Sequence, residues 1–540
     1  MRMLSAQDAT FIYLESDHCP MHIGGVYLID ARGAPATFGY RSFVSHIRER
    51  LQCSRIFRQR LVEVPLSLSH PYWINDPHFR LESHLPRLEL PAPGGMQELM
   101  QLAAQVFGRT LDRNRPLWEL SFIEGLDRVP GLAPGSFALI SKVHHAAVDG
   151  GSGVELMGAL LDLESTPRVI DAADDWRAEK IPATARLIAT AYSRMGRKTI
   201  ELGKVVGEVA AGAIRVYGKR RARRIDPPPR LLSAPPSVLN QPVSSSRTYG
   251  GVDFAFERIR KIRHMVPGAT VNDVVLAVCA GGLRNYLQQR NALPKKALVA
   301  MAPVSVRQEK QKGRMGNQVS AMLVGLATDV ADPLQRLLHI CRGTQAAKVY
   351  ASALPANKIA EFIPSETLAA ASRLYTRTRL GGRHRPFFNL TITNVPGPAV
   401  PLYLAGARIT QQFGMAPILD GLGLIIVALS YAGRVSLGLT SCYSVIPDPA
   451  RLGDCLERAL HELEAAVARA SDAELRLSDE RSGVKAAAPA RRAAEPPGEK
   501  GKSRRKKGRR QSGSEALERL RGASKALDKA IESLQQRTRK

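Results

Sequence analysis

The chain has 540 residues, of which 44% are hydrophobic, and a formal net charge of +28 at pH 7. Its length and composition indicate a globular protein of two or three domains, and it has neither an apolar run of roughly 18 residues that could span a membrane nor an N-terminal signal-peptide pattern. The six scattered cysteines form no CxxC pair, which argues against a zinc site or a disulfide framework.

Residues 1–163 combine strand and helix patterns. The stretches MHIGGVYLID and SFALISKVHH are extended and apolar, whereas MQELMQLAAQVFGRTL and GVELMGALLDL have the composition and spacing of helices. We therefore predict an N-terminal half over 1–163 in which helices and strands alternate.

Residues 164–240 differ in composition from their surroundings. Within them, 177–230 holds 14 Lys+Arg against 4 Asp+Glu and has a helical composition, and DPPPRLLSAPPS then interrupts any helix. We interpret 164–240 as a basic, helical connector between two halves.

Residues 241–470 again mix helices and strands. TVNDVVLAVCAGGLRNYLQQR predicts a helix that begins near Thr270 or Asn272. LGLIIVALSYAGRVSLGLTSCY predicts two strands joined by a turn at Ala432 and Gly433. With an amphipathic helix over 452–470, this stretch forms a second αβ half.

The tail, 471–540, is rich in Ala, Pro, Lys and Arg and poor in aromatic residues, and it holds 20 Lys+Arg against 10 Asp+Glu. We expect it to be largely disordered. Near its end, leucine and isoleucine spacing fits either a short coiled coil or an isolated surface helix. The positive charge of tail and connector favours an anionic membrane or nucleic acid, or simply keeps the protein soluble.

The most informative stretch is SKVHHAAVDGGSG, at 141–153. His144 and His145 follow an extended segment, where neighbouring side chains point to opposite faces, so the two histidines should have different roles. Asp149 lies in the turn that follows, and Gly150 allows a close backbone approach. The pair is either a buried structural feature of a strand end or a site in which one histidine does chemistry.

Other common catalytic patterns do not occur in the chain. There is no HExxH, no GxSxG nucleophile elbow, no GxxxxGK[ST] phosphate loop and no strand-linked GxGxxG. A single histidine acting as a general base, with an ordinary pKa near neutrality, is the chemistry that remains.

The pattern H-H-x-x-x-D-G is the signature of acyltransferases built like chloramphenicol acetyltransferase and the condensation domains of peptide synthetases. The chain more closely resembles the bacterial wax ester synthase/diacylglycerol acyltransferase family, over about residues 3–465. The segments that carry this resemblance are LSAQDATFIYLESDHCPMHIGG, RPLWELSFIEGL, TVNDVVLAVCAGGLRNYL, NVPGPAVPLYLAGARI and SYAGRVSLGLTSCYSVIPDP.

The resemblance implies an α/β (α+β) fold of two chloramphenicol-acetyltransferase-like halves, each a mixed sheet with helices, joined by the connector. It implies that His145 is the general base, which takes a proton from an acceptor alcohol as the oxygen attacks an acyl-CoA thioester. Asp149 is expected to hold the turn, His144 to orient the site, and Gly150 to complete the motif.

Two residues of the second half are candidates for binding substrate. Asn272 and Asp273 either cap their helix or, as the resemblance implies, face the histidine across the halves; for Asp273 the structural role is favoured. Pro116, Leu117 and Trp118 are expected to pack behind the histidine strand. The loop NVPGP, from Asn394, either borders an acyl-CoA channel or is a plain turn.

The resemblance implies an O-acyltransferase that makes triacylglycerol or wax ester from acyl-CoA and diacylglycerol or a long-chain alcohol. We expect it to be cytoplasmic, peripheral to the inner membrane face or to lipid inclusions, with no cofactor, metal or nucleic-acid partner. The alternatives are an acyltransferase with another donor or acceptor, such as a carrier-protein thioester or an amine, and a non-catalytic protein that binds lipid surfaces or nucleic acid.

Overall fold

A computed structural model describes residues 1–34, 38–148, 152–170, 174–195, 233–305, 319–351, 365–382 and 384–470. The predicted disordered tail, 471–540, and most of the predicted basic connector therefore lie outside the described residues. Among the residues that are described, no helix is both long and apolar enough to cross a membrane.

The first sheet is built on the two strands predicted in the N-terminal half. Its neighbouring strands run antiparallel except for the last pair, which is parallel. Across the sheet the order is β12 (Tyr403–Leu404), β13 (Ala407–Met415), β2 (His22–Asp30), β7 (Phe137–His144), β6 (Trp118–Glu124) and β5 (Arg87–Glu89). A small separate sheet contains β1 (Arg2–Met3), β4 (Tyr72–Asn75) and β3 (Gln59–Val62).

The second sheet belongs to the C-terminal half and is also mixed, because its third strand is parallel to both neighbours. The strand order is β10 (Val319–Gly325), β9 (Val299–Ser305), β11 (Leu390–Pro396), β14 (Leu424–Tyr431), β15 (Arg434–Cys442) and β8 (Arg247–Ala255). Strands β14 and β15 form the predicted hairpin, and Ala432 and Gly433 both have positive φ, as a two-residue turn with the twist of a hairpin requires.

Helices cover the two sheets. They are α1 (Ala6–Leu14), α2 (Tyr40–Glu49), α3 (Met96–Phe107), α4 (Ser152–Leu160), α5 (Thr184–Met195), α6 (Phe256–Met265), α7 (Val271–Gln289), α8 (Pro333–Ala351), α9 (Ser365–Arg377) and α10 (Pro449–Arg469). Helix α7 is buried without interruption from Val274 to Leu283, because it packs against α6, α8 and α10. The predicted fold class, two halves that each contain a mixed sheet with helices, is confirmed.

The sheet topology differs from the predicted ranges in one respect. Strands β12 and β13 lie within 241–470, yet β13 pairs with β2 and extends the first sheet. The same strand lies against the second sheet, since the side-chain oxygen of Tyr249 donates a hydrogen bond to the carbonyl of Gly414 at 3.1 Å. A Cβ at Gly438 would lie 2.0 Å from that carbonyl oxygen. Backbones this close require glycine, so a strand of the second half joins the two sheets.

Candidate active site

Strand β7 ends at the first histidine of the pair, and the chain then turns. His144 is the last strand residue, and His145 begins a single 3₁₀ turn, His145–Ala147. The Nδ1 atom of His144 accepts a hydrogen bond from the backbone N–H of Ala146 at 3.0 Å, and the N–H of His145 donates to the carbonyl of Met21 at 2.8 Å. The two histidines therefore lie in different environments because the strand ends between them. His144 is the last residue of the strand, and His145 is the first residue of the turn.

The first histidine is completely buried beside an acidic side chain. The Nε2 atom of His144 lies 3.3 Å from Oε1 of Glu15, the residue that follows helix α1. Because Nδ1 accepts from Ala146, the ring hydrogen is on Nε2, which lies beside this carboxylate in a polar contact that is not a hydrogen bond. Burial opposes ionisation of Glu15, but the contacts with His144 and Arg113 outweigh it and lower the pKa of the carboxyl to about 2.

The second histidine has a different environment. The imidazole of His145 stacks on the ring of Phe11, with centroids 3.8 Å apart and planes inclined by 12°. Burial lowers the pKa of His145 to about 4, so the ring is neutral at physiological pH. Its Nδ1 atom is buried and finds no hydrogen-bond partner in the described part of the chain. A neutral imidazole of this kind can accept a proton.

Two predicted members of the site, Asp149 and Gly150, lie outside the described residues. Their predicted roles, a structural carboxylate and a close backbone approach, stay predictions. Helix α4 begins at Ser152, two positions after Gly150, and the sequence pattern predicted a helix here.

The two residues predicted at the start of α7, Asn272 and Asp273, have different contacts. Thr270, and not Asn272, is the N-cap, and it forms a reciprocal capping box with Asp273. Asp273 is fully buried, and its other oxygen accepts a hydrogen bond from the hydroxyl of Thr344 at 2.6 Å. Both carboxylate oxygens are thus engaged within the fold, as in a structural residue.

Asn272 instead contacts the loop predicted as a turn or channel border. Its Oδ1 accepts a hydrogen bond from Nδ2 of Asn394 at 3.4 Å, at the end of β11. The two motifs, N-D and N-V-P-G-P, which are about 120 residues apart in the chain, therefore meet. The predicted approach of Asn272 to the histidine across the two halves stays a prediction.

The packing role expected of the segment before β6 agrees with its contacts. Leu117 and Trp118 are buried, and Nε1 of Trp118 donates a hydrogen bond to the carbonyl of Phe57 at 3.0 Å. The carbonyl of Leu117 accepts from the N–H of His144 at 2.9 Å. This segment therefore supports the strand that ends in the histidine pair.

Three residues around the pair were not identified from the sequence as site residues: Phe11, Glu15 and Arg113. All three lie in or next to segments that carry the family resemblance. Glu15 and Arg113 are 98 positions apart, and only the folded chain brings their side chains to 2.8 Å. The acidic residue at the end of a helix pattern was the available signal, but such residues are common on surfaces.

Within the described ranges of the chain, one group of side chains is close enough to hold a metal ion. The ligand atoms of His18, Cys19 and Asp420 all lie within 4.8 Å of one another. Burial raises the pKa of the Cys19 thiol to about 11, so an ion would first have to displace a firmly held proton. Asp420 already accepts from the N–H of Val243 at 2.8 Å and lies 3.2 Å from His18. The expectation of no metal stays a prediction.

Two family profiles match the chain. The profile described as wax ester synthase/diacylglycerol acyltransferase catalytic domain matches residues 4–275. The profile described as WS/DGAT C-terminal domain matches residues 315–464. The first match includes the histidine pair and the N-D pair, and the second includes the N-V-P-G-P loop.

Similar proteins cover nearly the whole described chain. A Mycobacterium tuberculosis (strain H37Rv) protein named "Probable diacyglycerol O-acyltransferase tgs2" is 33% identical over 473 residues, which are 86% of this chain and 100% of that protein. A second protein of that strain with a diacylglycerol O-acyltransferase name is 36% identical over 469 residues, again 86% of this chain and 100% of the relative. The solved structure of a wax ester synthase/diacylglycerol acyltransferase from Marinobacter aquaeolei VT8 is 30% identical, with a TM-score of 0.59, and the match covers 86% of this chain and 100% of that one.

Proposed function

The chain belongs to the wax ester synthase/diacylglycerol acyltransferase family, and we propose that within this family His145 is the general base of its acyl transfer. The protein is an O-acyltransferase that forms triacylglycerol or wax ester. Its substrates are an acyl-CoA and an acyl acceptor. The finer assignments, which are the role of each side chain and the surface at which the enzyme works, are the subject of the proposal.

The proposed reaction is a direct transfer. The neutral imidazole of His145 takes the hydroxyl proton of diacylglycerol or a long-chain alcohol while the oxygen attacks the thioester carbonyl carbon of acyl-CoA. The tetrahedral intermediate then collapses, the carbon–sulfur bond breaks, and the proton passes from the imidazolium to the departing sulfur. No acyl-enzyme is formed, so the step requires a base and no protein nucleophile.

The observation that supports His145 is the contrast with its neighbour. His144 is fully buried, with one ring nitrogen accepting from Ala146 and the other beside Glu15. His145 retains partial exposure and a lowered pKa of about 4, so it is neutral and available to a substrate. A base must be unprotonated and within reach of the acceptor, and only the second histidine combines both properties.

The test compares His145→Ala with His461→Ala, a histidine that is 65% exposed on helix α10. Turnover of radiolabelled palmitoyl-CoA is measured with dioleoylglycerol and with hexadecanol, and the products are separated by thin-layer chromatography. We expect His145→Ala to lose roughly a hundredfold or more of the activity with either acceptor, and His461→Ala to retain it. A normally folded His145→Ala enzyme that keeps most of its activity would remove His145 from the mechanism.

We also propose that the enzyme works at an anionic lipid surface. The Pro65–Ser67 turn packs beside α5 and α9, and Leu66 at its tip is 85% exposed. Leu66 also has a positive φ of 54°, which is unfavourable for a leucine. On α9, Leu374, Arg373 and Arg377 are exposed as well. Apolar side chains flanked by arginines are suited to the interface of an anionic membrane.

Vesicle sedimentation at low and high salt tests this surface. Leu66→Ser is expected to weaken binding to anionic vesicles, and Val169→Ser, which changes a comparably exposed residue (83%) in another loop, is the control. Removal of 471–540, with its excess of 10 positive charges, should weaken binding further at low salt. If the wild type sediments equally with neutral and anionic vesicles, the lipid-surface proposal is wrong.

A further inference from the structure

An ionised carboxylate occupies an unfavourable place next to the histidine pair. Glu15 is the C-cap of α1, where the helix dipole disfavours negative charge, and its side chain is only 4% exposed. Its ionised state is nevertheless favoured, because two hydrogen-bond donors and one neighbouring imidazole surround it. They are the guanidinium of Arg113, the backbone N–H of Met21 and the imidazole of His144. A buried charge retained at this cost calls for a role.

Two routes connect this carboxylate to the base. In the first, Oε1 of Glu15 accepts from the N–H of Met21 at 3.2 Å, and the carbonyl of Met21 accepts from the N–H of His145 at 2.8 Å. In the second, the same oxygen faces Nε2–H of His144 at 3.3 Å, and Nδ1 of His144 accepts from Ala146. Both routes end on the backbone of the turn that carries the imidazole of His145.

Helix α1 adds a third connection. The N–H of Glu15 donates to the carbonyl of Phe11 at 3.1 Å, at the last turn of the helix. The ring of Phe11 is the one that stacks on the imidazole of His145. The helix end that carries the carboxylate therefore also carries the ring against which the base lies.

Arg113 holds the carboxylate from the opposite side. Its Nε and Nη2 atoms lie 2.9 Å and 2.8 Å from Oε2 of Glu15, and Nη2 also donates to the carbonyl of Ile12 at 2.9 Å. Its Nη1 donates to Glu63 at 3.1 Å, but Glu63 is 46% exposed. The two acidic partners of Arg113 thus differ in what else they contact. Glu15 also contacts the turn of the histidine pair, whereas the described contact of Glu63 is with Arg113.

We propose that Glu15 is a positioning residue for the acyl transfer: its carboxylate, anchored by Arg113, fixes the orientation of the turn that presents His145. The inference rests on the proposed role of His145 as the base. Both oxygens of Glu15 accept hydrogen bonds, which only a carboxylate can do. A glutamine has nearly the same shape but one acceptor, so either orientation of its amide places an N–H₂ group against a donor.

The experiment uses the full chain and compares Glu15→Gln with Glu63→Gln, which changes the other acidic partner of the same arginine. We expect Glu15→Gln to lower kcat by roughly 10- to 100-fold, as a small misplacement of a reacting group does, with KM changed less than about twofold. Arg113→Lys, which keeps the charge, should retain more activity than Glu15→Gln. Glu63→Gln should behave as wild type.

A double variant separates positioning from stability. If Glu15 acts through His145, Glu15→Gln should produce no further loss of the residual rate in a His145→Ala background. A wild-type kcat in Glu15→Gln, or a loss that persists in full in the double variant, would overturn the proposal. A folded His145→Ala enzyme with normal activity would instead refute the base itself, so the two failures are distinguishable.

Discussion

The pH dependence of acyl transfer tests whether burial keeps the proposed base, His145, neutral. Burial lowers the pKa of His145 from 6.5 to about 4. At pH 5.5 an imidazole with the ordinary pKa is only about 10% neutral, whereas one with a pKa near 4 is about 97% neutral. In the proposed mechanism the neutral form is the reactive one, so activity should be lost only as the pH falls towards 4.

Replacing the ring that covers the imidazole should move this limit. Phe11 stacks on His145 at 3.8 Å, and Phe11→Ser would admit water to that face. Because desolvation is the main cause of the lowered pKa, the acid limb should move upwards, towards 6.5. Phe11→Leu keeps an apolar cover and is the matched control, with an acid limb close to that of the wild type.

The assay measures initial rates at limiting acyl-CoA between about pH 3.5 and 8, because kcat/KM reports the ionisation of the free enzyme. Samples held at each pH and returned to neutrality reveal irreversible inactivation, which must be excluded first. A wild-type acid limb at pH 6.5 would contradict the desolvated base. An unchanged limb in a folded Phe11→Ser enzyme would show that the stacked ring does not control the ionisation.

Three further predictions concern stability. Asp273→Ala removes the capping box and the hydrogen bond that the hydroxyl of Thr344 donates to the carboxylate, so urea unfolding should show a loss of about 3 kcal/mol. The pKa of Glu15 is 4.5 in isolation and about 2 here. This shift contributes stability that is present above pH 4.5 and is lost as the pH falls towards 2. On acid titration, the free energy of unfolding of the wild type should therefore fall by about 3 kcal/mol more than that of Glu15→Gln. Gly438→Ala forces a Cβ onto a backbone carbonyl at 2.0 Å and should strongly lower the melting temperature, whereas Gly325→Ala, with open space, should not. Equal melting of the two glycine variants, or no change in Asp273→Ala, would contradict these accounts.

Local sequence patterns predicted much of the fold and part of the candidate site. Apolar runs of strand length predicted β2 and β7, and Ala432 and Gly433 predicted the hairpin, because turn chemistry depends on neighbouring residues alone. Helix composition alone is compatible with a start of α7 at either Thr270 or Asn272. The pattern of Thr270 three residues before Asp273 is that of a capping box, and it would have decided the question.

Features that depend on distant pairs could not be predicted in this way. Strand β13 has the alternation of any strand, and nothing within it indicates that its partner is β2, some 380 residues earlier. The ion pair of Glu15 and Arg113 likewise joins residues that are far apart in the chain. Each residue alone is typical of a surface, and only the folded chain buries Glu15 and brings Arg113, which stays 32% exposed, against it.

The two adjacent histidines lie in different environments because the chain changes direction between them. His144 ends a strand and is fully buried, with its Nδ1 accepting from the N–H of Ala146 and its Nε2 lying 3.3 Å from Glu15. His145 opens the turn, so its ring lies against Phe11 with a lowered pKa. The burial of His144 therefore leaves His145, the proposed base, as the accessible histidine of the pair, whereas Glu15 lies beside the histidine that holds the turn.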